Sequence, residues 1–267
     1  MKEITSLQNE LVKKVVQLQE KARARKKEKR FVIEGHREIK LALESNYELI
    51  TLLYCDEIVS DAELKNYLHF DDQNPMVIRI SPLVYHKISH RKTTEGLIAI
   101  AKSKDLLLSD LTLSENSLIL IAQSIEKPGN IGALLRTADA AKIDAVILAD
   151  PVSDLYNPNV IRSSVGCVFT NQIAMGSSHE IKEFLNNNGI KAYSAALHQN
   201  SQPYLNYDFS GPTAIVVGTE STGLTESWLD DSIDKVIIPM QGKIDSLNVS
   251  VSAAILIFEA KRQRDFG

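Results

Sequence analysis

The segment from Leu118 to Ser124 limits the possible folds of this chain more than any other part of the sequence. It begins with five consecutive apolar residues, and a strand of this kind has to be covered on both faces. Strands of parallel sheets meet that condition, because helices pack on both sides of the sheet. Further apolar segments alternate with helical patterns at 145–149, 191–195, 214–217 and 235–239. This alternation predicts an α/β fold with a parallel sheet.

The first hundred residues show a separate alternation of strand and helix patterns. Apolar spacing predicts a first helix from Ser6 to about Ala24, with Ser6 as its N-cap. The patterns that follow predict strands at 30–33, 49–54, 76–80 and 96–101, and helices at 35–44, 61–68 and 82–88. A polar segment then separates the two halves. We therefore predict a domain of residues 1–105, a linker of 106–116 and a second domain of 117–267.

The composition excludes several classes of protein. The 267 residues are 44% hydrophobic and 24% charged, which is typical of a globular chain. No apolar run approaches the roughly 20 residues of a membrane-spanning helix, and the first residues lack the apolar core of a signal peptide. We therefore expect a cytoplasmic protein without a membrane anchor. The two cysteines, Cys55 and Cys167, give neither a disulfide framework nor zinc spacing, so we expect no metal site.

The positive charge of the chain is concentrated near its start. Residues 21–30 contain seven basic side chains, although the net charge of the protein is −4. Such a run is typical of a surface that binds phosphate groups, and it is also compatible with a solvated helix end. If the partner is RNA, the candidate contacts are Arg23, Arg25, Lys26, Lys27, Arg30, Arg91 and Lys92.

Three loops in the second half follow buried strands and are rich in polar residues, glycine or proline. Ligands of open α/β sheets bind at the carboxyl ends of the strands, where such loops lie. The first loop, 126–130, leads into a predicted helix with Asn130 as a possible cap and Arg136 further along. The second, Gly218-Thr-Glu-Ser-Thr-Gly-Leu224, places glycines where a ligand can approach the backbone closely. The third follows Ile238-Pro-Met240 and leads through Ser246, a possible cap, to the last helix.

Taken together, these loops resemble the three motifs of the SpoU (TrmH-like) RNA ribose methyltransferases. The resemblance rests on Asn130 and Arg136, on the 218–224 loop, and on Ile238-Pro-Met240 followed by Ser246-Leu-Asn-Val-Ser250. Arg162-Ser-Ser-Val-Gly-Cys-Val-Phe169 is similar to another family segment, which usually has Ala in place of Cys167. The first half is similar to a small ribosomal-protein-like RNA-binding domain through Arg30-Phe-Val-Ile-Glu-Gly35 and Thr93-Thr-Glu-Gly-Leu-Ile98.

The resemblance implies a SPOUT fold, which is a parallel sheet with a C-terminal trefoil knot, in a homodimer. It also implies S-adenosylmethionine as methyl donor and an RNA ribose 2′-hydroxyl as acceptor, with rRNA as the expected substrate. The positions carried over for donor binding are Val217, Gly218, Ile238, Met240 and Leu247. The catalytic positions carried over are Asn130, Arg136, Glu220, Ser246 and Asn248. We expect Arg136 to stabilise charge and position the substrate, because an arginine is normally protonated.

Three alternative functions remain open at this point. A tRNA could be the substrate of the same fold, or the chain could be an RNA-binding, ribosome-associated factor without catalysis. The complete set of catalytic positions argues against the second of these. A Rossmann dinucleotide enzyme is the third alternative, and the lack of a GxGxxG sequence after any strand argues against it.

Overall fold

The computed structural model describes residues 2–65, 75–90 and 95–265, and these residues form two compact units. The first unit contains the residues up to Asp105 together with Asp154–Thr170. The second unit contains Leu106–Ser153 and the chain from Asn171 onward. The chain therefore leaves the second unit after Ser153 and returns to it at Asn171.

Residues up to 105 form a mixed sheet with helices. The strands are β1 (Lys2–Ile4), β2 (Arg30–Glu34), β3 (Leu49–Tyr54), β4 (Met76–Ile80) and β5 (Leu97–Lys102). The helices are α1 (Glu10–Glu20), α2 (Ala22–Glu28), α3 (His36–Glu44), α4 (Asp61–Lys65) and α5 (Pro82–Ile88). The strand order is β1-β4-β3-β5-β2, with β5 antiparallel to β3 and β2. The predicted strands are confirmed, β1 was not predicted, and the part of the 61–68 helix after Lys65 lies outside the described residues.

The single helix predicted between Ser6 and Ala24 is wrong. Helix α1 is capped by Asn9, whose side-chain oxygen accepts a hydrogen bond of 2.9 Å from the Leu11 amide. Lys21 has extended backbone angles, φ −115° and ψ 106°, and these separate α1 from α2. Apolar spacing did not reveal the break, because it carries no information about the backbone of one exposed residue.

The chain after Asp105 supplies the whole second unit. Its strands are β6 (Leu118–Gln123), β7 (Ala145–Ala149), β8 (Ile173–Gly176), β9 (Lys191–Ala195), β10 (Gln202–Pro203), β11 (Thr213–Val217) and β12 (Asp234–Ile237). Its helices are α6 (Pro128–Ala141), α7 (Pro158–Ser163), α8 (Cys167–Thr170), α9 (Ser178–Asn187) and α10 (Val249–Gln263). Helices α7 and α8 belong to the first unit.

All seven strands of the second unit run parallel, in the order β10-β12-β9-β11-β6-β7-β8. Strands β6, β7 and β11 are buried along their whole length, as their apolar sequences predict. The predicted α/β fold with a parallel sheet is therefore confirmed, whereas the trefoil knot stays a prediction. Because the strands are parallel, all their carboxyl ends, and the loops that follow them, lie at one edge of the sheet.

The segment Asp154–Thr170 packs by aromatic contacts within the first unit. The Tyr156 ring stacks on Phe31 with 4.2 Å between ring centroids. The Tyr156 hydroxyl lies 3.3 Å from that of Tyr47, and both side chains are buried. Phe169 adds an edge contact to Tyr47 at 5.1 Å. These contacts explain why a segment between β7 and β8 belongs to the first unit.

The residues predicted as a linker, 106–116, are attached to the second unit. The Leu106 carbonyl accepts a hydrogen bond of 2.9 Å from the Met175 amide. The Gln172 side chain accepts from the Thr112 amide at 2.9 Å and donates to the Thr112 carbonyl at 2.8 Å. Each bond anchors this segment near β8.

Candidate active site

The three polar loops predicted from the sequence lie at the same edge of the parallel sheet. They follow β6, β11 and β12, and β11 pairs directly with β6. Strand β9 lies between β11 and β12, so its carboxyl end belongs to the same region. This arrangement brings together residues that are more than a hundred positions apart in the sequence.

A cavity of about 650 Å³ opens among these loops. All five predicted donor-binding residues line it, namely Val217, Gly218, Ile238, Met240 and Leu247. Glu220, Ser246 and Asn248 also line it. The volume lies within the range of roughly 300–1,000 Å³ that is typical of small-molecule sites. The walls combine apolar side chains with backbone and a few polar groups, which suits a nucleoside with an aliphatic arm.

The sequence patterns did not indicate one wall of this cavity. Ala195, Ala196 and Leu197, at the carboxyl end of β9, contribute to the lining, as do Leu224 and Leu229. The Ala-Ala-Leu segment contains neither glycine nor a polar residue, so nothing in its sequence suggests a ligand. The strand order alone identifies this segment as part of the wall, because a parallel strand between β11 and β12 has to end at this cavity.

The 218–224 loop is a tight turn closed by its own backbone. Thr219 and Gly223 exchange two backbone hydrogen bonds of 3.1 and 3.0 Å, and Gly223 has a φ of +68°. A Cβ atom on Gly218 would lie 2.6 Å from the Leu224 amide nitrogen and closer still to Gly223. Close approach of a ligand stays a prediction for Gly218, which lines the cavity, and the structure adds a second reason for glycine at this position. Gly218 is required because the chain itself passes this close.

Four polar side chains from the three loops form a cluster at the cavity. The side-chain nitrogen of Asn248 donates to Glu220 Oε1 at 2.5 Å and to Asn130 Oδ1 at 3.2 Å. Lys127 Nζ lies 2.6 Å from Glu220 Oε2. The cluster thus joins Asn130, Glu220 and Asn248, three of the predicted catalytic residues, and adds Lys127, which was not predicted.

The cluster keeps the Glu220 carboxylate charged. Hydrogen bonds from Lys127 and Asn130 hold the pKa of Glu220 below its ordinary value. The same carboxylate raises the pKa of Lys127, first through the hydrogen bond and second through the opposite charge. A carboxylate with a lowered pKa is a poor proton acceptor near neutral pH, so the chemistry of this cluster is orientation rather than proton abstraction.

Two predicted helix caps are corrected by the structure. Helix α6 begins at Pro128, where a missing N–H costs nothing, and this places Asn130 inside the first turn with its side chain available to Asn248. Helix α10 is capped by Asn248, which accepts a 3.0 Å hydrogen bond from the Ser250 amide. Ser246 is not the cap, and its exposed hydroxyl bonds Asp245.

Arg136 lies on the exposed side of α6. Its guanidinium has no hydrogen bond or ion pair with the described part of the chain. The structure therefore does not join Arg136 to the polar cluster, and its five donors remain available to an anionic partner.

The basic run of the first unit divides into exposed residues and one buried residue. Arg23, Lys26, Lys27 and Arg30 are exposed, as predicted for phosphate contacts. Arg25 is only 4% exposed, and its guanidinium lies 2.5 Å from Asp154.

Further hydrogen bonds of 2.6 and 2.9 Å join Arg25 to the carbonyls of Leu18 and Gln19. The prediction that Arg25 contacts RNA is thus wrong, because these three partners occupy the guanidinium inside the unit. Arg91 and Lys92 lie outside the described residues.

The described residues contain neither a group of metal ligands nor a membrane-spanning helix. Within residues 2–65, 75–90 and 95–265, no three His, Cys, Asp or Glu side chains are grouped so as to hold a metal ion. In the same residues, none of the helices combines the length and the apolar character needed to cross a membrane.

Comparisons with known proteins cover both halves of the chain. The family model of the SpoU rRNA Methylase family matches residues 117–258, and that of the MRM3-like substrate binding domain matches residues 9–99. The 23S rRNA (guanosine(2553)-2'-O)-methyltransferase RlmP of Bacillus subtilis is 30% identical over 98% of this chain and 100% of its own length.

Solved structures are similar over the same extent. A crystal structure of an RNA 2'-O ribose methyltransferase has a TM-score of 0.82 at 38% identity, covering 98% of this chain and 99% of its own. An AdoMet-bound rRNA methyltransferase from Sinorhizobium meliloti has a TM-score of 0.89 at 26% identity, covering 98% and 97%. Because the family model spans more than half of the chain and a relative matches nearly all of it, this protein belongs to the SpoU rRNA methylase family of S-adenosylmethionine-dependent RNA methyltransferases.

Proposed function

We propose that this protein transfers a methyl group to a ribose 2′-oxygen of ribosomal RNA. The observation that carries the proposal is the convergence of Asn130, Glu220 and Asn248 beside a cavity of donor size. The match of residues 9–99 to a substrate-binding domain supports a large RNA substrate, because a small acceptor would need no second domain.

We propose that Val217, Gly218, Ile238, Met240 and Leu247 hold the donor in the 650 Å³ cavity. S-adenosylmethionine supplies a sulfonium-bound methyl group that a hydroxyl oxygen can take up. The residues in this cavity bind and orient, since apolar walls and the tight 218–224 turn exclude water and restrict the ligand's position.

The roles proposed for the polar residues follow from their contacts. Glu220 is held ionised by Lys127 and Asn130, so it accepts hydrogen bonds and orients its neighbours. Ser246 supplies an exposed hydroxyl for the substrate backbone, and Asn248 contacts that backbone by exchanging one of its bonds to Glu220, Asn130 or Ser250. Arg136 binds a phosphate next to the reacting ribose and stabilises the charge that develops on the oxygen as its proton passes to water.

The remaining assignments concern RNA contacts and domains. We propose that residues 1–105 bind the substrate, with Arg23, Lys26, Lys27, Arg30, Arg91 and Lys92 on phosphates. Residues 106–116 connect this domain to a knotted catalytic domain of residues 117–267. We propose the cytoplasm as the place where the protein meets its rRNA substrate.

We also propose a homodimer formed through the second unit. Helix α10 carries two exposed apolar side chains, Val251 at 46% and Phe258 at 41%. They are seven residues apart and therefore share one face of the helix. The exposure of both side chains is explained if a second copy of the chain covers this face. Light scattering at micromolar concentration would then give twice the monomer mass.

Methylation of defined RNAs tests the proposed function. The purified protein is incubated with methyl-labelled S-adenosylmethionine and either rRNA or tRNA from cells that lack the gene, and 2′-O-methyl positions are then mapped. We expect one labelled ribose in rRNA, and much slower labelling of the same ribose with Arg136→Ala. Label in tRNA alone would establish the tRNA alternative. Binding of rRNA without label in either RNA would establish the non-catalytic alternative.

A further inference from the structure

A buried glutamine lies under the cavity and is not among the residues that line it. Gln123 is the last residue of β6 and is 2% exposed. Its side-chain oxygen accepts a 3.0 Å hydrogen bond from the Thr225 amide, and its side-chain nitrogen donates to the Thr225 hydroxyl at 2.7 Å. One carboxamide therefore holds both the backbone and the side chain of Thr225.

The position of Thr225 connects this clamp to the cavity wall. Thr225 directly follows Leu224, and a short 3₁₀ turn, Glu226–Trp228, leads from it to Leu229. Leu224 and Leu229 both line the cavity. By holding Thr225, Gln123 therefore fixes the position of the wall formed by Leu224 and Leu229.

A second set of hydrogen bonds holds the far end of the same wall. The indole nitrogen of Trp228, which is fully buried, donates to the Ser178 hydroxyl at 2.7 Å. Ser178 in turn bonds Asp150 through its hydroxyl at 2.5 Å and its amide at 3.0 Å. The Gln123 nitrogen lies 3.2 Å from Asp150, which joins the two sets.

We propose that Gln123 is a positioning residue for the methyl-donor site, acting through Thr225 on the wall formed by Leu224 and Leu229. The inference rests on the proposed function, which places the donor in this cavity. An uncharged carboxamide can accept from the Thr225 amide and donate to its hydroxyl at the same time, whereas an ionised carboxylate can only accept. Loss of either bond leaves a polar group without its partner beside the cavity.

The chemistry of the network makes a Gln123→Glu variant informative. Asp150, directly after β7, is the ionisable partner of the Gln123 side chain. The other hydrogen-bond partners of that side chain, Ser178 on α9 and Thr225 in the wall, are uncharged. Burial alone would raise the pKa of Asp150, but hydrogen bonds from Ser178 and Gln123 outweigh it and lower the pKa. A glutamate at 123 would therefore face a carboxylate in a buried position, and both effects raise its own pKa.

Donor affinity measured against pH tests the proposal. Calorimetry with S-adenosylmethionine is run between pH 5.5 and 8 on the wild type, on Gln123→Glu and on Gln172→Glu. Gln172 makes the matched control, because its side chain also clamps one residue, Thr112, but does so outside the cavity lining.

We expect Gln123→Glu to weaken donor binding by about tenfold or more at pH 8, the scale for one buried polar group left unpaired. Affinity should recover as the pH falls, because a protonated carboxyl can again donate to the Thr225 hydroxyl. The rate at saturating donor should change by less than about threefold, since Gln123 touches no reacting atom. Gln172→Glu should bind the donor like the wild type at every pH.

Each other outcome decides a different question. A folded Gln123→Glu with wild-type affinity across the pH range would overturn the inference. If that variant does not fold, Thr225→Val, which removes only the hydroxyl, decides instead. A loss of about threefold or more then supports the clamp, and unchanged affinity overturns it. A wild type that does not bind S-adenosylmethionine would overturn the proposed function itself.

Discussion

In the polar cluster of the second unit, residues far apart in the sequence lie together, whereas in the basic run of the first unit adjacent residues have different environments. Asn130, Glu220 and Asn248 are separated by up to 118 positions and share one set of hydrogen bonds. Arg25 and Lys26 are adjacent, yet Arg25 is buried in an ion pair and Lys26 is exposed. Closeness in sequence is therefore a poor guide to shared function here, because helix periodicity separates neighbours while sheet topology joins distant residues.

The largest expected effect tests whether Arg136 belongs to the same catalytic site as the polar cluster. Replacement of Arg136 by Ala removes the charge placed against phosphate and the reacting oxygen, and it should lower the methylation rate by about 10²–10³. Donor affinity should stay the same, because the cavity lining does not include this residue. Single-turnover kinetics and calorimetry measure the two quantities. Arg262→Ala, an exposed arginine of α10, is the control. A rate within a few-fold of the wild type would show that Arg136 does not belong to the site.

The next effect concerns the stability that Arg25 provides. Arg25→Ala removes a buried guanidinium with three partners, and Asp154 keeps a partly buried carboxylate without its cation. We expect a loss of about 2–3 kcal/mol in the free energy of unfolding, below the value for a fully buried pair because Asp154 is 24% exposed. Urea unfolding measures the change. A stability equal to that of Lys26→Ala would contradict the structural role assigned to Arg25.

The third effect follows from the turn at Gly218. A methyl group there would overlap the backbone of Gly223 and Leu224, so Gly218→Ala should distort the turn and destabilise the protein by about 1–3 kcal/mol. Donor binding should weaken with it, since the same turn lines the cavity. Gly129→Ala is the control, because its Cβ would meet no atom within 4 Å. If Gly218→Ala has the stability of the wild type but no longer binds the donor, Gly218 serves ligand contact alone.

The fourth effect isolates the exposed part of the basic run. A variant with Arg23, Lys26 and Lys27 all replaced by Ala should bind RNA more weakly and keep the stability of the wild type. The slope of log affinity against log salt should flatten by up to about 2, at roughly 0.7 per contact with single-stranded RNA. Binding titrations at several salt concentrations measure the slope. Superimposable lines would mean that these residues form only a solvated helix end.

The smallest effect concerns Lys127 and the charge on Glu220. Since the hydrogen bond from Lys127 is the main cause of the lowered pKa of Glu220, Lys127→Ala should raise that pKa toward the ordinary value. Glu220 then takes up its proton at a higher pH, so activity should decline earlier as the pH falls. Lys127→Arg should retain the wild-type profile. The methylation rate is measured between pH 4 and 7. If the rate of Lys127→Ala declines at the same pH as that of the wild type, the charge of Glu220 is not needed.

Local patterns predicted the elements better than they predicted the ends of the elements. The strands from Leu118 and Ala145 are found as predicted, because five apolar residues in a row have no other stable environment. The helix cap was wrong at Asn130 because α6 begins earlier, at Pro128, and has no side-chain cap among the described residues. The caps were wrong at Ser6 and Ser246, since several nearby residues in each case have suitable side chains. Which of them caps the helix depends on backbone angles that the sequence pattern does not contain.

The sequence by itself determined the alternation of strands and helices, the polar loops after β6, β11 and β12, and the family resemblance that those loops carry. Each of these is a property of consecutive residues. Only the tertiary structure decided that Arg25 is buried, that Lys127 joins Glu220, that Gly218 is held against its own chain, and that Gln123 lies beneath the cavity wall. The contacts of Arg25, Lys127 and Gln123 join segments far apart in the chain, and they arise only when the fold brings those segments together. The contact at Gly218 depends on the backbone angles of one tight turn, which the sequence pattern does not contain.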